Sequence, residues 1–509
     1  MISSAARRLR CAIGGRRARR RWAIGGVFSV GLVPLVAVLT LQSPPASPTS
    51  SAPVTPKDFT NPQPVFQTQA FAYEPGIGVV KTPSLPTEKT YQTGALVGSQ
   101  GEEGDIAVSP SGDVFVNAGT AGLVASHDQG ATWQSIQPPS SPACAGAGYD
   151  HTVWYGAGRL LLANSYTPKV NFSDTNGTSW SSTCGQQAPG AEESWNADRA
   201  NIFGGPPSPQ GQRPATSHPD VLYYCGQSVK GNDEPGTFWT LCEHSYDGGA
   251  TWTNTNQPAF TEPLNGCDAL AAGGRWTPDV AVGSVGPDGT VYVPKQFCGE
   301  PYLAMSSNDG NNWTRVQVSP RSNVGITSGQ YGGYEQGVAA NKQGDIFFTW
   351  IGANGLPYLA VSPDHGRTWS APVMYAAPGV HTAFWPFVSI DPQGRLDLIY
   401  MGTSSSGYND PSEQWLEYMA EIPNPTSGSH PLIYTATTTP SSYPWLIGPG
   451  GPDRAPLHCG CDYVGVASTA NGTTWSLTFD DNSRQLGALA SVLSPPPATS
   501  TTSRTAQSG

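Results

Sequence analysis

An eight-residue phrase, Ser-x-Asp-x-Gly-x-Thr-Trp, recurs along this chain and constrains its fold more than any other feature. The three complete copies are Ser126–Trp133, Ser245–Trp252 and Ser362–Trp369. Two degenerate copies are Ser306–Trp313 and Ser173–Trp180. The degenerate copies carry Asn308 and Thr175 in the Asp position. A fixed repeat is typical of architectures in which similar units stack or circle an axis.

The phrase itself predicts a tight turn between two strands. Its Asp carboxylate can accept backbone N–H bonds across the turn, and its Gly permits a positive φ. Its Thr and Trp begin the next strand, and we expect the Trp to pack between adjacent sheets. The phrase therefore fixes a hairpin.

A second phrase consists of an apolar strand, a Pro/Gly turn and another apolar strand. Four clear versions begin at Asp105, Asp279, Gly337 and Phe387. Three weaker versions begin near Asp150, Asp198 and Asp462. The 60 Gly and 48 Pro of this 509-residue chain, with 12% charged residues, are typical of short strands joined by tight turns. Seven such hairpins predict an all-β fold of seven repeated units. No Ser-Asp phrase follows the last hairpin, so we expect residues 65–95 to supply its missing outer strand and close the ring.

The Ser-Asp phrase resembles the Asp-box, or bacterial neuraminidase repeat, of the sialidase superfamily, and the resemblance covers most of residues 94 to 480. It implies a sialidase-like β-propeller. The seven hairpins favour seven blades, and six, the common number in sialidases, is the alternative. In that family each box joins the outer two strands of a blade, away from the central site. The residues that would have this structural role are Asp128, Trp133, Asp247, Trp252, Asn308, Trp313, Asp364 and Trp369.

The N-terminal region predicts a membrane or secretory segment. Residues 1–22 contain eight Arg, and residues 23–41 form an uncharged apolar run, long enough to cross a bilayer as a helix. Arg on one side only places the N-terminus in the cytoplasm and the remainder outside, whether the segment is a retained anchor or a cleaved signal peptide. We therefore expect an extracytoplasmic protein, either anchored by one membrane pass or secreted.

Composition divides the remainder into a tether, a folded unit and a tail. Residues 43–64 and 494–509 are rich in Pro, Ser and Thr and cannot bury enough apolar surface to fold. Residues 65–493 should form the propeller. Without the eight N-terminal Arg, 18 basic residues face 37 acidic ones, so the body would repel a phosphate backbone and nucleic acid is excluded as a partner.

Eight cysteines follow the apolar run, and an even number in an oxidising compartment predicts disulfides. The candidates are Cys144, Cys184, Cys225, Cys242, Cys267, Cys298, Cys459 and Cys461. Sequential pairing of the first six would staple neighbouring strands. Cys459 and Cys461 could pair with each other, pair elsewhere, or bind a metal with His458; the compartment favours disulfides, so we expect no metal site and no cofactor.

Residues that precede the innermost strand of a propeller blade face the central channel, and here they are largely acidic. The candidate ligand-binding residues are Glu103, Asp150, Asp198, Arg199, Arg275, Trp276, Asp279, Trp385, Arg454 and Asp462. Carboxylates accept hydrogen bonds from sugar hydroxyls, and aromatic faces cover apolar sugar faces, so the set suits a glycan. The alternative is that these residues only cap strand ends and face water.

The sialidase resemblance also implies catalytic roles. Chain order would make Asp105 the acid/base, and Glu335 with Tyr463 the nucleophile pair. Arg199, Arg275 and Arg454 would hold a substrate carboxylate. The sequence departs from the family because no Arg occurs between Arg21 and Arg159, where the family places its first one, and Lys cannot supply the forked guanidinium contact.

Three functions fit these patterns. The first is an extracytoplasmic propeller that binds a glycan or glycoconjugate and could act as an unconventional glycoside hydrolase. The second is a non-catalytic propeller that binds another protein at the cell surface, and the third is a conventional exo-sialidase. The sequence contains no GxSxG, no HExxH and no phosphate-binding Gly-rich loop, so hydrolase-elbow, zincin and nucleotide chemistry are not indicated.

Overall fold

The structure is a computed structural model of the chain. It describes residues 71–74, 78–81, 91–96, 105–117, 123–130, 132–136, 151–164, 167–181, 198–211, 213–214, 218–229, 238–255, 257–261, 281–297, 300–319, 336–377, 379–404, 416–422, 425–427, 432–435, 465–470, 472–480 and 487–493. The N-terminal Arg-rich and apolar segments, the tether at 43–64 and the tail at 494–509 lie outside the described residues.

Thirty strands and one 3-10 helix (Pro425–Ser427), with no α-helix, make up the regular structure of the described residues. The strands are β1 (Phe71–Glu74), β2 (Gly78–Lys81), β3 (Tyr91–Leu96), β4 (Asp105–Val108), β5 (Val114–Asn117), β6 (Leu123–Ser126), β7 (Gln134–Ile136), β8 (His151–Gly156), β9 (Arg159–Asn164), β10 (Thr167–Ser173), β11 (Asp198–Gly205), β12 (Val221–Val229), β13 (Phe238–Ser245), β14 (Thr253–Asn254), β15 (Phe260–Thr261), β16 (Ser284–Val285), β17 (Val291–Phe297), β18 (Glu300–Ser306), β19 (Thr314–Gln317), β20 (Gly337–Ala340), β21 (Ile346–Ile351), β22 (Pro357–Ser362), β23 (Val373–Met374), β24 (Thr382–Ile390), β25 (Leu396–Thr403), β26 (Leu416–Ile422), β27 (Leu432–Thr435), β28 (Gly465–Ser468), β29 (Thr474–Asp480) and β30 (Gly487–Leu493).

These strands form antiparallel sheets around one central channel, which confirms the prediction of an all-β propeller. Sheet 1 is β4–β7, sheet 2 is β8–β10, sheet 3 is β11–β15, sheet 4 is β16–β19, sheet 5 is β20–β23, sheet 6 is β24–β27, and sheet 7 is β28–β30 with β3. The first strand of each sheet lines the channel. Each of these innermost strands contacts the next, and β28 returns to contact β4, so the seven sheets close a ring.

The innermost strands all run the same way along the channel. Asp105 at the start of β4 bonds to Val153 near the start of β8, and Ser284 on β16 bonds to Ala340 at the end of β20. We call the end where these strands begin the mouth, and the opposite end the turn end.

At the turn end, a five-residue turn joins the first two strands of most sheets. In sheet 1 the N–H of Gly112 donates to the carbonyl of Ser109 at 3.0 Å, and Gly112 has a φ of +92°. Sheets 4, 5, 6 and 7 repeat this bond with a positive-φ Gly at the same place. The backbone conformation explains why the second sequence phrase keeps its Gly.

The last sheet is closed by the start of the chain. β3 pairs antiparallel with β30, with Tyr91 opposite Leu493 and Thr93 opposite Ser491. This confirms the expectation that residues from the segment 65–95 supply the outer strand that the last repeat lacks. The hairpin β1–β2 precedes β3 and contacts β27 of sheet 6.

The apolar core lies between sheets. Six clusters of buried side chains fill the interfaces of sheet pairs 1/2, 2/3, 3/4, 4/5, 5/6 and 7/1. Tyr292 of sheet 4, for example, packs with Phe348 and Trp350 of sheet 5. Because each sheet buries both faces, central strands such as β17, β21 and β25 are buried at every residue.

The described contacts between sheets 6 and 7 are different in character, and we call this interface the polar seam (Arg395, Asp397, Glu417, Glu421, Ser468, Thr474 and Ser476). The Arg395 guanidinium lies 3.1 Å from Asp397 Oδ1 and 3.0 Å from Glu421 Oε1. It also donates to the carbonyl of Gly472 at 2.6 Å and to Thr474 Oγ1 at 2.7 Å. A buried cation thus ties two sheets together, and loss of one partner would leave an uncompensated charge.

Candidate ligand site at the channel mouth

The Ser-Asp phrases lie at the turn end, where they follow the third strand of a sheet. In the copy Ser126–Trp133, Asp128 Oδ1 accepts the N–H of Thr132 at 2.8 Å and Oδ2 accepts its hydroxyl at 2.6 Å. Ser126 donates to Asp128 at 2.8 Å and accepts the N–H of Gly130 at 2.7 Å. The other two complete copies repeat these four distances to within 0.1 Å.

These bonds occupy both oxygens of each carboxylate. Hydrogen bonds led by the Thr368 hydroxyl lower the pKa of Asp364 to about 2, so the group is ionised under ordinary conditions. In the degenerate copies, Asn308 Oδ1 accepts the N–H of Asn312 at 2.9 Å, and Thr175 Oγ1 accepts the N–H of Ser179 at 2.8 Å. The position therefore requires a hydrogen-bond acceptor more than a charge.

The Trp of each phrase packs against the preceding sheet. Trp133 of sheet 1 meets Trp475 of sheet 7 edge to face, with 6.1 Å between ring centroids. Trp252 of sheet 3 is buried in a cluster with Leu161 and Val170 of sheet 2. Trp313 and Trp369 join the 3/4 and 4/5 clusters in the same way, so these residues hold neighbouring sheets together.

The Ser-Asp turns thus have a structural role, and the predicted ligand-binding and catalytic residues are to be sought at the mouth. The structure describes only some of them. Asp105 begins β4, and Trp385 lies in β24. Asp198 and Arg199 begin β11, but their side chains are outside the described part. Those wholly outside the described residues are Glu103, Asp150, Arg275, Trp276, Asp279, Glu335, Arg454, Asp462 and Tyr463, and their roles stay predictions.

Asp105 bridges two sheets at the mouth. Its Oδ1 accepts the N–H of Ile106 at 2.8 Å, and its Oδ2 accepts the N–H of Val153 in sheet 2 at 2.9 Å. Burial raises the pKa of the carboxyl to about 6, although the two backbone bonds act in the opposite direction. Asp105 thus joins two neighbouring strands through backbone hydrogen bonds, and its carboxylate is more basic than an ordinary Asp.

The channel behind this mouth encloses about 390 Å³. Residues of all seven innermost strands line it, and Ser284, Ser389 and Ser468 are among them. Among the described residues of that lining, Asp105 is the one with a charged side chain. Its carboxylate favours a cation or a neutral polar group over an anion at that end of the channel.

Trp385 has a backbone conformation that a strand residue seldom adopts. Its φ is +49°, and it lies where β24 shifts register, between the pairs Phe384–Met401 and Phe387–Ile399. Two residues, Trp385 and Pro386, therefore oppose one residue of β25, as in a β-bulge. A non-Gly residue held at positive φ costs about 1–3 kcal/mol, so the surrounding structure must impose this geometry. The sequence predicted this strand from Phe387, whereas the strand begins at Thr382.

Sequence reasoning missed two buried amides at the mouth. Gln296, near the end of β17, and Gln336, immediately before β20, are almost completely buried. Within the described part of the chain, neither amide group has a hydrogen-bond partner. Gln336 follows Glu335, so the signal that could have found it is its position before an innermost strand.

Of the predicted disulfide cysteines, Cys225 and Cys242 are bonded to each other. They lie directly opposite on β12 and β13, so the bond staples two strands of sheet 3 as the sequential pairing predicts. The other six cysteines lie outside the described residues. The described part of the chain holds no cluster of His, Cys, Asp or Glu suited to a metal ion. Nor does it include a helix of the length and apolarity needed to span a membrane.

Comparisons with known proteins give structural likenesses only. No known family and no curated protein matches the sequence. A streptogramin B lyase aligns with a TM-score of 0.43 and 9% identity over 80% of this chain and 98% of that chain. The phage phi92 endosialidase aligns with a TM-score of 0.42 and 14% identity, over 86% of this chain and 74% of that chain. The lectin of Aleuria aurantia aligns with a TM-score of 0.37 and 11% identity, over 67% of this chain and 96% of that chain. None of these likenesses supports an inference about ligand or activity.

Proposed function

We propose that this protein is an extracytoplasmic propeller that binds a glycan at the channel mouth. The observation that carries the proposal is the common direction of the innermost strands, because it gathers their starting residues at one end of the channel. The sequence places carboxylates and aromatic residues at those starting positions. Such a set suits sugar hydroxyls and apolar sugar faces.

Binding is supported better than hydrolysis. Asp105, the residue that chain order assigns to acid/base catalysis, uses both carboxylate oxygens to accept backbone N–H bonds. A proton donor needs a carboxyl oxygen that can reach the leaving group, and one of these oxygens instead joins sheet 1 to sheet 2. We therefore assign Asp105 to the architecture of the mouth.

A glycan array tests the proposed function. The full-length chain, purified in mild detergent, is labelled and applied to an array of neutral and sialylated glycans. We expect a restricted set of glycans to be bound, and we expect no release of fluorophore from a fluorogenic sialoside. An array with no specific binding would overturn the proposal, and sialoside cleavage would favour the exo-sialidase interpretation instead.

Location is a separate part of the proposal. The Arg-rich residues 1–22 before the apolar residues 23–41 support an N-terminus inside and a propeller outside. Protease added to intact cells should remove an epitope placed after residue 493 and spare one placed before residue 7. An epitope after residue 493 that survives until the cells are lysed would place the propeller in the cytoplasm.

A further inference from the structure

Among the residues that the structure describes, Gln296 and Gln336 are the two amide side chains that are buried with neither polar atom hydrogen-bonded. Together they leave two oxygens and two nitrogens unpaired. An unpaired buried donor or acceptor is costly, so native proteins pair nearly all such groups, either with other protein groups or with ordered water. Two fully unpaired amides therefore call for a partner.

The two amides lie at the same level along the channel. The N–H of Ala340, at the end of β20, donates to the hydroxyl of Ser284 at 3.2 Å, and Ser284 lies opposite Tyr292 of β17. Gln336 precedes Ala340 by four residues. Gln296 follows Tyr292 by four residues. Because β20 runs away from the mouth and β17 runs towards it, both counts lead the same distance towards the mouth.

Both side chains also face the interface between sheets 4 and 5. Side chains alternate between the two faces of a strand, so Gln296 shares the face of Tyr292. By the same alternation Gln336 shares the face of Val338. Tyr292 and Val338 belong to the cluster that fills this interface, and β17 directly contacts β20. The two unpaired amides thus face each other across one interface, near the mouth.

We propose that Gln296 and Gln336 hold an ordered water between sheets 4 and 5, and that this water ties the start of the innermost strand of sheet 5 to sheet 4. Facing sheets lie about 10 Å apart. Polar groups that face each other beyond hydrogen-bond distance are commonly bridged by water. A buried water needs roughly two to four polar partners, and it can donate to the amide oxygens and accept from the NH₂ groups.

The chemistry of the two amides selects water over other occupants. A cation would bind only the two oxygens and would leave both NH₂ groups unpaired. A sugar cannot reach groups that are almost completely buried, and neither Gln296 nor Gln336 is among the described residues that line the channel. The inference therefore does not depend on the proposed glycan binding.

A high-resolution crystal structure of the full-length protein, purified in mild detergent, tests the site directly. We expect a density peak at about 2.7–3.2 Å from an amide atom of each of the two glutamines. A direct hydrogen bond between the two amides would overturn the proposal. So would a peak that contacts only one of them, a peak with the shorter contacts of a metal ion, or no peak at all.

A double-mutant cycle tests the energetics of the same site. Gln296→Met and Gln336→Met each remove one amide at similar volume, and each leaves the water and the other amide short of a partner. Each single variant should lower the equilibrium constant for folding about tenfold or more. The double variant keeps neither amide, so it should lose no more than either single variant. Urea denaturation of the full-length chain measures all four proteins.

Gln343→Met is the matched control, because Gln343 is exposed in the turn between β20 and β21 at the other end of sheet 5. Combined with Gln296→Met, it should give the sum of the two single effects. If the losses caused by Gln296→Met and Gln336→Met also add, the two amides act separately and no water joins them.

Discussion

At the scale of single residues, the carboxylates of this protein divide into two groups by the direction of their pKa shift. Those of the Ser-Asp turns accept several hydrogen bonds near solvent, which lowers the pKa, as at Asp364. Those buried between sheets are desolvated, which raises the pKa, as at Asp397 and Glu417. The two groups should therefore affect stability in opposite directions as pH changes.

The turn carboxylates give the first prediction. The pKa of Asp364 falls from 3.8 to about 2 on folding, so its contribution to stability is complete above about pH 4 and is lost as pH falls towards 2. Asp364→Asn keeps the acceptor, as Asn308 does naturally, and should remove that share of the acid sensitivity. Melting temperatures from pH 2 to 5 measure it. Asn308→Asp is the matched control and should gain the sensitivity; identical pH profiles for all three proteins would contradict the account.

The tryptophans buried between sheets give the second prediction. Trp252 is 4% exposed and packs with Tyr224 and the apolar side chains of sheet 2. Trp252→Ala should reduce the free energy of unfolding by about 3–5 kcal/mol, because it removes a large buried side chain and leaves a cavity. Chemical denaturation measures the loss, and glycan binding should be retained, since the residue lies far from the mouth. A loss below about 1 kcal/mol would mean that the interface does not depend on this contact.

At the scale of elements, the hairpins were predictable and the polar seam was not. The Ser-Asp turns and the Gly turns depend on hydrogen bonds within about eight residues, so their sequence records them directly. Arg395, by contrast, donates to Gly472, and nothing local marks the two as neighbours. The bulge at Trp385 could not be predicted either, because Pro386 lacks the N–H of a ladder bond and no neighbouring residue indicates the register shift.

The seam gives the third prediction, through Glu417 on β26. Burial raises the pKa of Glu417 from 4.5 to about 7, although a hydrogen bond with Ser476 of sheet 7 acts against the shift. The folded protein therefore binds this proton more tightly than the unfolded chain, and stability falls as pH rises from about 4.5 to 7. Glu417→Gln removes the titration and should be more stable than the wild type at pH 8 by about 3 kcal/mol, an upper value for a shift of this size.

Urea midpoints at pH 4.5 and pH 8 test the seam prediction. The difference between wild type and Glu417→Gln should be small at the lower pH and grow at the higher one. Asp364→Asn serves as the control, because its difference from the wild type should not change over this range. A difference that shrinks towards pH 8 would show that Glu417 is stabilised as an anion in the fold.

At the scale of the whole molecule, the ring closes by pairing two distant parts of the chain. The fold could be predicted to this extent because the last repeat visibly lacked an outer strand. The mouth could be predicted only in outline, because most of its candidate residues precede the strands, in segments whose conformation no repeat specifies. The ring of antiparallel sheets therefore followed from the sequence more directly than the site that it positions.

Closure gives the last prediction. Gln92 on β3 lies directly opposite Val492 on β30. Directly opposed residues on antiparallel strands have Cα atoms about 4.5–5.5 Å apart, which a disulfide can span. The double variant Gln92→Cys, Val492→Cys should therefore form a bond that ties the first strand of the ring to the last. It should raise the free energy of unfolding by about 2–4 kcal/mol, because the bond restricts the unfolded chain over a very long loop.

Denaturation of the oxidised and the gently reduced double variant measures the gain, and each single variant controls for the substitution itself. The native bond between Cys225 and Cys242 must stay intact during that reduction, which its burial between paired strands favours. Equal midpoints for the oxidised and reduced forms would mean that unfolding does not require the ring to open between β3 and β30.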